Sequence, residues 1–193
     1  ALGVQGGLLL AAVVIIIGGV VFWMERDRRP PIRASYFYGI IGESLVYAVV
    51  LAFLVSALIV SVFAVWLAPV DPVPLALAQM RELSLPLQLA LSIGAGLYEE
   101  LVFRVMLVGG MFLGLRVLVR DHRIAYVIAA VIGAAIFSWV HHLGALGDPF
   151  EVNVFAYRFV FGLALNAVFL LRGFAVAAWT HALYDILVVS NVL

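Results

Sequence analysis

Residues 36–67 read YFYGIIGESLVYAVVLAFLVSALIVSVFAVWL, 32 positions of which Glu43 is the one charged residue. A run of that length suits a lipid bilayer, whose hydrocarbon core a helix of about 20 residues crosses. In hydrocarbon the backbone must satisfy its own hydrogen bonds, so only helices and closed barrels span it. The run is continuous rather than alternating, which selects helix over barrel strand. Five further runs, at 3–24, 87–115, 124–142, 152–171 and 174–192, have the same character. Hydrophobic residues make up 66% of the chain and charged residues 11%, and mean hydropathy is +1.21. Soluble domains lie nearer half and a quarter. The expectation is an all-α, polytopic membrane helical bundle of about six transmembrane helices. It forms one membrane domain over 1–193, with two accessory N-terminal spans in 1–67 and a four-helix core in 87–192.

Between spans two and three, APVDPVPLALAQMRELSLP (68–86) opens as a proline-rich loop, and 74–84 suits a short amphipathic helix at the membrane surface. All eleven basic residues are arginine. Arg26, Arg28, Arg29 and Arg33 follow span one, Arg116, Arg120 and Arg123 follow span three, and Arg172 follows span five. The alternate loops hold Arg81 with Asp71, Glu82, Asp148 and Glu151. The positive-inside rule then puts both termini on the external face. The first run has no small-residue cleavage site after it, so it reads as a span rather than a signal peptide. Net formal charge is zero, which offers no field for nucleic acid, and the absence of cysteine removes disulfides, thiolate metal sites and thiol nucleophiles.

Against this background a few residues are costly. Glu43; Glu99, Glu100 and Arg104; His141 and His142; Arg158; and His181 with Asp185 all fall at membrane depth. An ionised side chain there costs roughly 2.5–3.5 kcal/mol on insertion scales. Glu100 and Arg104 are four apart, on one helix face, and can pair. Glu99 is rotated about 100° from Glu100 and lacks that partner. His181 and Asp185 repeat the four-residue spacing, as do Phe137 and His141. Helices three and four form a hairpin near residue 120, with Glu99 and His141 each about 21 residues from it and so at similar depth.

A glutamate with histidines from neighbouring helices can activate water, and a second polar pair can stabilise an oxyanion. The same residues can equally serve as interhelical hydrogen bonds in a scaffold or transporter. Spacing alone leaves both readings open. His142 suits an interfacial role, Arg158 an ion pair or a snorkelling position, Glu43 a structural hydrogen bond, and Asn166 an interhelical contact. Trp139 and Trp179 suit packing or interfacial anchoring.

Three motifs occur in order: EELVFR (Glu-Glu-x-x-x-Arg), FSWVH (Phe-x-x-x-His) and HALYD (His-x-x-x-Asn/Asp). In this order on successive hydrophobic segments they resemble the CPBP intramembrane protease family, which includes the CAAX prenyl endopeptidases and bacteriocin-immunity proteins. The likeness covers about 95–190. It implies a glutamate-dependent endopeptidase with Glu99 as general base and His141 as its partner on the water. His181 and Asp185 would form the oxyanion site, and Glu100 with Arg104 the structural ion pair. Where Asp185 stands, the family often has asparagine. An ionised Asp185 can accept from His181 and orient the ring, which is the expected role.

The expected substrate is a membrane-associated peptide or protein, such as a lipidated, secreted or anchored protein in maturation. The expected setting is a prokaryotic inner (plasma) membrane, with the bilayer as partner and no nucleic acid. No cofactor is expected. The alternative is zinc held by Glu99, His141 and His181 as a three-ligand site. No His-Glu-x-x-His or Gly-x-Ser-Gly pattern is present, which argues against site-two and rhomboid chemistry. LYD and LGD stand in the reverse of the presenilin-type order. The competing function is a non-catalytic scaffold or immunity protein that retains the polar core. Depth counting leaves open which leaflet the site faces.

Overall fold

A computed structural model describes residues 33–63, 80–144 and 147–193, with isolated helical positions between 12 and 24. Most of the expected first span, Arg26 to Arg29 and residues 64–79 of the expected loop and surface helix lie outside the described residues. The chain divides into two compact units, Ala1–Phe37 and Tyr38–Leu193. In the first, the described positions from 12 to 24 are helical and exposed. The second holds the bundle.

Among the described residues every regular element is helical: α1 (Ala34–Phe63), α2 (Leu85–Glu100), a π-helical segment (Leu101–Val108), α3 (Gly109–Leu118), α4 (His122–Val140), α5 (Val152–Arg172) and α6 (Phe174–Val189). Ala34–Val62, Leu85–Leu118, His122–Val140 and Val152–Arg172 are long and apolar enough to cross a membrane. The chain is an all-α membrane bundle, as the apolar runs require. Its outward side chains are apolar, Val46, Phe53, Leu54, Val105, Met106, Val127 and Leu170 among them. Leucine and valine facing outward are at home in lipid, where there is no water to avoid.

Two elements depart from expectation. The sixth helix ends at Val189 rather than 192, because Ser190 caps it and Asn191 turns with φ 56°. Its 16 residues span about 24 Å, less than a bilayer core. The third span, expected as one α-helix, is continuous from Leu85 to Leu118 but widens over Leu101–Val108. There Gly109 N bonds to Arg104 O, a five-residue closure. Residues four apart on an α-helix drift by about 40°. The wider turns bring Glu100, Arg104 and Val108, all buried, closer to one line. Such segments often occur at functional sites.

Local chemistry sets the helix ends. Pro86 stands in the first turn of α2, where its missing N–H loses nothing. The Asp121 side chain accepts from Arg123 N at 2.8 Å and caps α4. Gly173 adopts φ 85° and is the sole residue between α5 and α6. That left-handed conformation suits glycine, and it folds α6 back against α5.

The packing that positions the site is the approach of α2 to α6. A Cβ on Gly96 would stand 2.7 Å from Ala182 N and 2.8 Å from Ala178 O, so only a hydrogen fits. Small residues at such crossings let backbones come close. Elsewhere Asn166 Nδ2 donates to Ala130 O at 3.0 Å, tying α5 to α4 as its polarity at depth suggested. Glu43 pairs with Arg172 at 2.5 and 2.8 Å. Ser44 Oγ donates to Val176 O at 3.1 Å, seating α1 on α6. Val55, Phe161 and Leu165 form the core between α1 and α5.

Gly96→Ala is expected to force α2 from α6 and destabilise the bundle by about 1–3 kcal/mol, the usual range for overpacking. Gly94, which has nothing within 4 Å of its Cβ position, should accept alanine. Thermal unfolding of both variants in detergent is the check, and equal melting temperatures would contradict the packing account.

Candidate active site

Glu99 and Glu100 end α2, one residue before the backbone widens. Glu100 is fully buried, and Arg104 is 1% exposed. Arg104 Nε lies 2.9 Å from Glu100 Oε2, the pairing their spacing allows. The guanidinium also stacks on Phe137, with Cζ 4.4 Å from the ring centre, a cation–π contact that strengthens when desolvated. The carboxylate has a second partner that spacing on one helix cannot reveal: Glu100 Oε1 lies 2.8 Å from His181 Nδ1.

That contact revises the expected geometry of His181. Asp185 was expected to orient the ring. Its Oδ2 lies 3.9 Å from His181 Nε2, beyond hydrogen-bond reach. Glu100 holds the ring instead, from the opposite helix, because the Gly96 crossing brings α2 within reach. A carboxylate beside a guanidinium can only accept, so His181 donates from Nδ1. Nε2 is thereby directed away from Glu100, toward Glu99 and Asp185.

Glu99 occupies the position left over by the ion pair. Its Oε2 lies 3.4 Å from His141 Nε2 and 3.9 Å from His181 Nε2. The oxygen is buried and accepts no hydrogen bond from a described residue. Glu99, His141 and His181 thus meet around one oxygen, on α2, at the end of α4 and on α6. The Glu99 and His141 side chains are 22% and 25% exposed, so the cluster has an opening. Among the described residues no group of three or more His, Asp or Glu forms a metal-holding cluster.

His141 was expected within the fourth span. It stands one residue past α4, as its cap. Its Nδ1 lies 2.7 Å from Phe137 O, a carbonyl that can only accept. Nδ1 therefore carries the hydrogen, and Nε2 faces Glu99. Phe137 floors the site, touching the His141 ring at 4.8 Å and the His181 ring at 6.0 Å, centre to centre. Sequence reading placed Phe137 in a motif without seeing this. Its spacing to His141 was the available signal.

The remaining polar residues lie outside the cluster. His142 Nδ1 lies 3.1 Å from Asp148 O, and its ring stacks among Phe150 and Phe155. Arg158 pairs with Asp148, the ion pair rather than the snorkelling position of the two roles its depth allowed. Tyr157 and Tyr184 share a hydrogen bond at 3.0 Å beside the core.

Removing one member of the Glu100–Arg104 pair strands a buried charge, which costs about 3–5 kcal/mol. Arg104→Ala should therefore lower yield and melting temperature together. Glu99→Gln, at the carboxylate outside the pair, should leave melting unchanged within a few degrees. Differential scanning in detergent separates the two. Equal losses would mean that Glu99, too, is part of the structural pair.

No curated protein and no solved structure matches the chain. Residues 81–187, more than half of the chain, match the family described as Type II CAAX prenyl endopeptidase Rce1-like. The match runs from the approach to α2 through His181 and Asp185, and so contains the whole cluster. The chain belongs to the Type II CAAX prenyl endopeptidase Rce1-like family, and at the level of that family it is an integral membrane peptide hydrolase.

Proposed function

We propose that the chain cleaves a peptide bond at the membrane with water activated between Glu99 and His141. The observation behind this is the Glu99 Oε2 atom, buried, free of hydrogen bonds from the described residues, and 3.4 Å from a ring nitrogen that holds a lone pair when the ring is neutral. One water can donate a proton to each acceptor. Its own lone pair then points out of the pair, toward a bound carbonyl carbon.

In this reading Glu99 takes a proton as the water oxygen bonds to the carbonyl carbon. The carbonyl oxygen becomes an oxyanion and receives a hydrogen bond from His181 Nε2–H. That requires His181 as imidazolium, since Nδ1–H is already given to Glu100. Charge balance favours such a state. Glu99, Glu100 and Asp185 against Arg104 leave two negative charges unmatched, and a proton on His181 reduces that excess to one while Glu99 stays ionised as the base. Asp185, 3.9 Å from Nε2, then faces the imidazolium as its counter-charge. As the tetrahedral intermediate collapses, the C–N bond breaks and Glu99 returns its proton to the leaving amine. The hydrolysis balances with one water consumed.

The substrate in this reading is a lipidated, secreted or membrane-anchored protein presented at the bilayer. Water activation needs no tightly bound metal here: Glu100 is committed to Arg104 and His181, which leaves Glu99 as the acceptor between the rings. Elemental analysis of active protein with a chelator series checks this. Stoichiometric zinc, with activity lost on chelation and restored by zinc, would make Glu99, His141 and His181 ligands instead.

The direct test is co-expression with candidate lipidated or membrane-anchored proteins, wild type beside Glu99→Ala, with mass spectrometry of new termini. New termini are expected with the wild type alone. Termini identical in both samples would leave the non-catalytic scaffold as the better reading. Asp185→Asn should keep activity within about tenfold, whereas His181→Ala, which removes the oxyanion donor, should lose about 10²–10³ in rate. Comparable losses in the two would move the donor role to Asp185.

A further inference from the structure

Arg158, the seventh residue of α5, is buried, and nothing in the chemistry above uses it. Its partner Asp148 is buried too, in the segment returning from α4 to α5. Asp148 is fastened at three points. Its carboxylate meets the Arg158 guanidinium. Its amide donates to His141 O at 2.9 Å. Its carbonyl accepts from the His142 ring at 3.1 Å. Gly147 packs so tightly beneath that a Cβ would stand 2.7 Å from His142 C and from Leu143 O. Ser138 Oγ donates to Phe155 O at 2.7 Å and closes the other side.

His141 therefore does not take its position from α4 alone. It lies beyond the last helical residue, where caps fray unless held. We propose that Arg158 is a positioning residue for His141: through Asp148 it fixes the turn that sets His141 Nε2 against Glu99. Arg158 Nη2 meets Asp148 Oδ2, and a charge-assisted hydrogen bond between two buried groups gives direction as well as attraction. A displacement of the ring by about 1 Å is enough to cost about 10²-fold in rate.

The proposal rests on the reading of His141 as part of the water-activating pair, so its test has one arm that needs no activity. The first variant is Arg158→Met combined with Asp148→Asn, which removes both charges and strands neither. The second is Gly147→Ala, which keeps both charges and displaces the turn, and it decides the question if the first does not fold. In each folded variant, cleavage of a prenylated peptide should fall in kcat by about 10–100-fold, the range for loss of a supporting contact. KM should stay within about threefold, as expected when substrate binding is untouched. In parallel, the ring ¹⁵N resonances of His141, identified by their loss in His141→Gln, should shift while those of His122 stay in place. Arg158→Lys, which keeps the charge without the planar guanidinium, should restore stability but only part of kcat. Unmoved His141 resonances, or a folded charge-free variant with wild-type kcat, would overturn the proposal. If the wild type cleaves no peptide, the protease reading fails, and the resonances still decide the role of Arg158.

Discussion

The site depends on one carboxylate that serves two partners. Glu100 is fully buried, with Arg104 Nε at 2.9 Å on one oxygen and His181 Nδ1 at 2.8 Å on the other. A lone carboxylate at that depth would be prohibitively desolvated. Held on both sides, it ties α2 and the widened turns after it to α6, and it sets which way the His181 ring faces. The same contact depends on backbone: Gly96 has no room for a side chain against Ala178 and Ala182. A glycine four residues before Glu100 thus controls whether the two helices can share the charge.

Once Glu100 is committed, the rest of the cluster follows. Glu99 points to the side its neighbour vacates, and two rings approach it, each with its far nitrogen already engaged. His141 is held by its own helix through Phe137 O, and His181 by Glu100. In each ring the hydrogen on Nδ1 is thereby set by an acceptor that cannot donate. Phe137 meets both rings in edge arrangements and lies under the Arg104 guanidinium. One aromatic ring thus contacts the Arg104 guanidinium and both histidines.

Much of this was legible in the sequence because membranes make polar residues conspicuous. The helical class followed from unbroken apolar runs. The Glu100–Arg104 pair followed from four-residue spacing, and the convergence of Glu99 with His141 from equal distances about one hairpin. What stayed hidden depends on contacts between elements. No spacing rule links residue 100 to residue 181, so orientation of His181 was assigned to Asp185, its neighbour on the same helix. The π-helical turns over Leu101–Val108 have no local signature, since the residues are ordinary helix formers. His141 as a cap rather than a helical residue, and the Asp148–Arg158 tie behind it, emerge only when α4 and α5 are seen together. The short α6 was masked by apolar residues that continue past its turn.

The central claim is that Glu99 delivers a water to the peptide bond rather than attacking it. A single turnover in ¹⁸O-labelled water, with enzyme in excess over a prenylated peptide, tests this most directly. Direct water attack puts one ¹⁸O in the new carboxyl terminus on the first turnover and leaves the Glu99 peptide unlabelled. An unlabelled product from that turnover, with ¹⁸O appearing in Glu99, would mean that the carboxylate forms a covalent intermediate, and would contradict the account.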